Sequence, residues 1–193
     1  MPYVKNDNIV VIVDEFISKK ECQYLIDVME SHPKKGYSRR VYREEYDWVD
    51  KEDDTVNEQE YLTWTDIDDP VYWDVHKRVV DFVEKTYEVK LEASGSGFTK
   101  LFDTTVLKGH YDSDLNAIDR PDDRAQYHSV CPTITVILYL NKVEGGTLDI
   151  YDVAEVETGS GRLLTFWGSK YEHGGSPFKS DRYSIVYFMT AIE

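Results

Sequence analysis

Hydrophobic and polar positions change rhythm twice along the chain. "NIVVIVDEFIS" is an apolar run of strand character, and Ser18 and Glu21 then stand in Ser-x-x-Glu capping-box spacing ahead of "CQYLIDVMES". That order predicts a strand and then a helix, which must stop by His32 because Pro33 disfavours helical geometry in the residue before it. From 37 to 68 charged and aromatic residues interleave around "REEYDWVDKEDD" with no sustained period, so this part reads as a long excursion, a lid or insertion with room for short strands. "DDPVYWDVHKRVVDFVEKTYEV" restores order: Asp69 can cap, Pro70 suits the first helical position, and Val71, Val75, Val79, Phe82 and Val83 make one apolar stripe. "EASGSG" after it reads as a turn-rich break.

Beyond Gly97 the texture becomes β-like, with short runs at 98–107, 133–141, 146–152, 161–168 and 181–191. A helical first half leading into a strand-rich second half predicts an α+β fold, mainly β, with helices packed on one face of a sandwich or barrel. In "CPTITVILYLN", Ile134, Val136, Leu138 and Leu140 fall on one apolar face, while Thr133, Thr135, Ile137 and Tyr139 fall on the other. Such a strand has one side for the helices and one for a ligand-filled interior, where Tyr139 offers its hydroxyl.

Candidate chemistry starts at "KGHYDSD", where His110 precedes Asp112 by two residues. In a chain this rich in aspartate a His-x-Asp also arises by chance. On a strand, however, both side chains project to one face while Tyr111 points away. Two His and one carboxylate leave three positions of an octahedral ion open, the arrangement of non-haem Fe(II) oxygenases, so a further His from a later strand is required. His32 suits a helix C-terminus, His76 borders the apolar stripe of the second helix, and His128 lies in a polar loop. His173 sits at a strand end, and Arg182 stands nine residues after it at the start of an alternating strand that also carries Ser184 and Val186 on the same face. A guanidinium on an interior face needs an anion, best a bidentate carboxylate. Trp48 and Trp64, within the acidic excursion, are candidates for touching a substrate, as is His128.

Composition limits the partners. With 193 residues, 41% of them hydrophobic and 13% aromatic, the chain can bury the core of one domain spanning 1–193. A net charge of −15 opposes stable nucleic-acid binding. Met1 to Asn8 is polar and no apolar run approaches the roughly 18 residues of a membrane span, so a soluble, intracellular and cytoplasmic protein without membrane attachment is expected. Cys22 and Cys131 read as reduced thiols. Nothing in the sequence sets an oligomeric state.

The ordered set of His-x-Asp, "YLN" followed by "EGGTL", "GRLLTFW", and His and Arg nine apart resembles the prolyl 4-hydroxylase-like family of 2-oxoglutarate- and Fe(II)-dependent dioxygenases. "IVVIVDEFISKKECQYLID" is similar to the family's usual start, and only 37–68 falls outside the resemblance. The resemblance implies a double-stranded β-helix, or jelly roll, with Fe(II) on His110, Asp112 and His173. It implies 2-oxoglutarate held at its far carboxylate by Arg182 and Tyr139, and O2 as the second cosubstrate, with ascorbate as an optional reductant. Family members commonly carry a Tyr about nine residues before the first ligand, where this chain has Leu101 and Phe102. The implied reaction is hydroxylation of a C–H bond, with a prolyl residue of a protein or peptide as the family-level substrate. Another amino acid, a small molecule or a nucleobase is the alternative for the same mechanism. A metal-free jelly-roll binding module is the rival of a different class, and a metal-dependent hydrolase lacks a general base beside the ligands.

Overall fold

The computed structural model describes residues 10–31, 37–42, 48–50, 58–63, 67–101, 107–112 and 133–191. Strand β1 (Val11–Val13) leads into helix α1 (Lys19–Ser31), whose start is closed by the capping box. The backbone N–H of Ser18 donates to Glu21 Oε2 at 2.7 Å, and the Glu21 N–H donates to Ser18 Oγ at 3.2 Å. Helix α2 (Pro70–Tyr87) starts on Asp69, whose carboxylate accepts from the N–H groups of Val71 and Tyr72, with Pro70 in the first turn. The predicted stripe of α2 is present but wider, since Tyr72 and Tyr87 are fully buried alongside Val75, Val79 and Val83.

The excursion holds short strands, for which its pattern left room. It contributes β2 (Tyr37–Tyr42), β3 (Trp48–Asp50) and β4 (Glu58–Thr63), and β4 pairs with β5 (Leu91–Leu101). The reading of "EASGSG" as a break is corrected, because Ser94 to Gly97 lie inside β5 and pair with Val186 to Met189 of β14 (Arg182–Ala191). Ladder pairing with β14, joined at Gly97 by pairing with β4, outweighs the weak strand preference of Gly and Ser. The small side chain of Ser96 further lets the Tyr72 hydroxyl reach its Oγ at 2.6 Å.

The remaining strands are β6 (Leu107–His110), β7 (Thr133–Tyr139), β8 (Glu144–Gly145), β9 (Leu148–Ile150), β10 (Ala154–Val156), β11 (Leu163–Trp167), β12 (His173–Gly175) and β13 (Phe178–Lys179). An eight-stranded sheet runs β1-β11-β7-β14-β5-β4-β2-β3, a four-stranded sheet runs β10-β9-β12-β6, and β13 pairs with β8. One face of the large sheet packs on the helices: Ile134, Val136, Leu138, Leu140, Ile185, Tyr187 and Met189 meet Cys22, Leu25, Val75, Val79 and Val83 in one core. The opposite face meets the small sheet through Tyr139, Leu164 and Phe166 against Leu148, Ile150 and Val156. The two faces of β7 therefore divide as the alternation predicts, and the architecture is a double-stranded β-helix with both helices on one side. Cys22 is a buried free thiol, and Cys131 lies outside the described residues. Among the described residues no helix is long and apolar enough to cross a membrane.

Candidate active site

Pairing of β6 with β12 sets His110 directly opposite His173. Their rings lie 4.5 Å apart between centroids. Asp112 is two residues on, past the end of β6 and not within a strand; its N–H donates to the Gly168 carbonyl at 3.1 Å. Tyr111 between them is exposed, as the alternation predicts. Asp112 Oδ1 is 3.5 Å from His110 Nε2, and Oδ2 is 3.2 Å from His173 Nε2. One ligand atom from each of the three residues falls within 4.8 Å of the others, the one cluster of this kind among the described residues. Metal-binding distances are shorter than these separations, so a single ion can bridge all three.

Local chemistry prepares these groups as ligands. His173 is buried, and its Nδ1 lies 3.0 Å from the Tyr171 carbonyl, which holds the ring with Nε2 toward the cluster. The edge of the ring also meets Phe166 at 4.8 Å. Burial alone would raise the pKa of Asp112, but hydrogen bonding to His110 and His173 outweighs it and holds the carboxyl well below the usual carboxylate range. The carboxylate is thus ionised throughout the neutral range. Thr135 Oγ1 donates to its Oδ2.

Farther inside, Arg182 is 5% exposed and Tyr139 is 1% exposed. The guanidinium lies 5.0 Å above the Phe178 ring and 6.0 Å from the Tyr139 ring centroid. Nη1 donates to the Gly146 carbonyl at 3.2 Å, while Nε has no hydrogen-bond partner, and neither does the Tyr139 hydroxyl. Burial lowers the Arg182 pKa from its ordinary value, an effect Tyr139 opposes, and an arginine so shifted is still a cation at neutral pH. Two buried donors lacking an acceptor, beside a cation with no carboxylate partner among the described residues, make a socket for an anion. Leu101, at the family's Tyr region, is buried and packs with Val143 and Phe178 as an apolar wall. Phe102 lies outside the described residues.

Three supports escaped the sequence reading. Asn141 Nδ2 donates to the Asp181 carbonyl and its Oδ1 accepts from the Tyr183 N–H, both at 2.8 Å, so "YLN" locks the chain on either side of Arg182. Gly146, at φ +66° and with room for no Cβ beside Phe178, brings its carbonyl to the guanidinium. Thr135 was visible as a polar inward residue, but not as a partner of Asp112. His76 stacks among Tyr72, Trp73 and Tyr187, away from the cluster. Trp64, His32 and His128 lie outside the described residues; Trp48 opens β3, and its side chain is not described.

Residues 99–190 match the family model of the 2OG-Fe(II) oxygenase superfamily. Curated protein sequences give no match. Among solved structures, the viral collagen prolyl hydroxylase of Paramecium Bursaria Chlorella virus-1, in complex with 2OG, aligns with a TM-score of 0.64 at 18% identity over 95% of this chain and 96% of that one. A Pseudomonas putida prolyl-4-hydroxylase aligns with 0.66 at 16% identity, over 95% and 93%. HygX from Streptomyces hygroscopicus, with nickel and 2-oxoglutarate bound, aligns with 0.64 at 13% identity, over 94% and 82%. The structural likeness gives the fold, and residues 99–190, which carry His110, Asp112, Tyr139, His173 and Arg182, are the part of the chain that matches the 2OG-Fe(II) oxygenase superfamily.

Proposed function

We propose that His110, Asp112 and His173 hold the Fe(II), that Arg182 and Tyr139 hold the far carboxylate of 2-oxoglutarate, and that the enzyme hydroxylates a prolyl residue of a protein or peptide. The residues fit both groups. Two imidazole nitrogens and an ionised carboxylate are a donor set for non-haem Fe(II), and their ligand atoms converge within 4.8 Å. The orphaned Arg182 Nε and Tyr139 hydroxyl suit a carboxylate that accepts from both. This pairing of a converged triad with a buried, unanswered cation on the same inner face carries the reading. A metal-free binding module has no use for either feature.

Bound Fe(II) supplies the oxidation, in which 2-oxoglutarate and O2 yield succinate, CO2 and a hydroxylated C–H bond. The side chains orient the reactants. Arg182 fixes one end of 2-oxoglutarate deep in the fold, so its keto acid end is carried toward the triad. Phe178, Val143 and Leu101 exclude water around the guanidinium and strengthen its hold on the carboxylate. His173, its ring held by the Tyr171 carbonyl, would present Nε2 to the metal.

A peptide substrate is supported by the likeness to two prolyl hydroxylases. A small molecule is the second reading, supported by HygX, one structure of which has hygromycin B bound. The acidic, aromatic segment 37–68 serves as a cover that favours a neutral or basic target. The test is incubation with Fe(II), 2-oxoglutarate, ascorbate and a proline-containing peptide panel, read by mass spectrometry. A gain of one oxygen on proline is expected, and oxidation confined to non-prolyl or small-molecule substrates refutes the prolyl assignment. Asp112→Ala should remain folded and lose Mn(II) binding and turnover together; undiminished oxidation by His173→Ala refutes the triad.

A further inference from the structure

Asp112 is the one member of the triad that no strand pairing holds, yet its carboxylate is fastened. Thr135, on the inward face of β7 and 2% exposed, donates its hydroxyl to Oδ2. Gly168, in the turn after β11, accepts the Asp112 N–H. A Cβ added at Gly168 would run into Thr135 Oγ1 and Asp112 Oδ2 together. Its φ is not in the positive range, so a side chain is excluded there by space and not by backbone conformation. The turn is itself tied to β7: the Ser169 N–H donates to the Thr133 carbonyl at 3.3 Å, and the Thr133 N–H donates to Ser169 Oγ at 3.2 Å.

We propose that Thr135 and Gly168 form a cradle that fixes the rotation of the Asp112 carboxylate, so that it meets the metal through one oxygen and leaves three coordination positions for cosubstrates. The inference rests on the triad reading above. A free carboxylate can turn to chelate an ion with both oxygens, which removes a position that 2-oxoglutarate and O2 require. A hydroxyl donor on Oδ2 competes with the ion for that oxygen and resists the turn, and its bond to an ionised acceptor is among the stronger kinds. Gly168 maintains the contact by leaving no atom between the turn and the carboxylate. Thr135 is thus a positioning residue, acting only through Asp112.

The test measures Mn(II) affinity of the full chain without 2-oxoglutarate, and the visible absorption of the Co(II)-loaded protein, in Thr135→Val, Thr135→Ser, Gly168→Ala and Asp112→Ala. Thr135→Val, nearly isosteric, frees the carboxylate to turn, so Mn(II) affinity should shift by about 10- to 100-fold, the scale of a group that orients a ligand, and the Co(II) spectrum should change with it. Thr135→Ser restores the hydroxyl and should restore both readouts. Gly168→Ala should shift both readouts in the same sense as Thr135→Val while its thermal unfolding remains cooperative. Wild-type affinity and spectrum in Thr135→Val, or a Ser variant as impaired as the Val variant, overturns the cradle. Wild-type Mn(II) affinity in Asp112→Ala overturns the triad reading itself, so the two failures are distinct.

Discussion

Arg182 is the residue whose removal has the most measurable consequence at the scale of a single side chain. Its guanidinium is buried, touches two aromatic rings and has an unanswered Nε. Arg182→Ala should weaken 2-oxoglutarate binding by roughly 3 to 5 kcal/mol, the scale of breaking a buried ion pair, and leave Mn(II) affinity unchanged. Arg182→Lys should recover part of the loss, since an ammonium keeps the charge without the planar fork. Tyr139→Phe should cost about 0.5 to 1.5 kcal/mol, one hydrogen bond. Displacement of a metal-chelating 2-oxoglutarate analogue measures all three; wild-type affinity in Arg182→Ala would remove the cosubstrate role. Spacing singled out His110 with Asp112, and His173 with Arg182, as candidates, and the resemblance to a known family supplied their roles. Asn141, Thr135 and Gly168 were not legible in the sequence, because each acts on a partner distant in the chain, and no local pattern encodes a hydrogen bond to Asp181 or Asp112.

Elements were readable where their signals are local. The Ser18–Glu21 box, the Asp69 cap and the two faces of β7 each follow from neighbours within a few residues. Strand β5 was misread because its composition is that of a turn, while its conformation comes from partners at 58–63 and 182–191. The misread strand has a consequence for stability. Ser96→Ala leaves the Tyr72 hydroxyl, fully buried and bonded to Ser96 Oγ, without that partner, and should destabilise the fold by about 1 to 3 kcal/mol in urea unfolding. Adding Tyr72→Phe should restore much of the loss, since an absent hydroxyl needs no partner. If the double variant is as unstable as the sum of the two single variants, the hydrogen bond is not the source.

At the scale of the whole molecule, the charge of −15 acts over distances that no contact spans. Among proline-containing peptides, a basic sequence should be hydroxylated with higher kcat/KM than an acidic one, and the gap should narrow between about 0.01 and 0.15 M salt, as the screening length falls from roughly 30 to 8 Å. A salt-independent preference would assign selectivity to local contacts alone. Whole-molecule topology was the least legible level, since strand order depends on crossovers that composition does not reveal. Strand β14 illustrates this, because it is made after every other strand described yet lies in the middle of the large sheet between β7 and β5. Until residues 182–191 emerge from the ribosome, β7 and β5 each lack the neighbour that the finished sheet gives them on that side. A nascent chain with two such edges is open to pairing with other chains. The insertion of β14 closes both edges and sets Arg182 beside Tyr139 and Phe178 in one event, so protection of the two strands and completion of the buried cation site are a single step of folding.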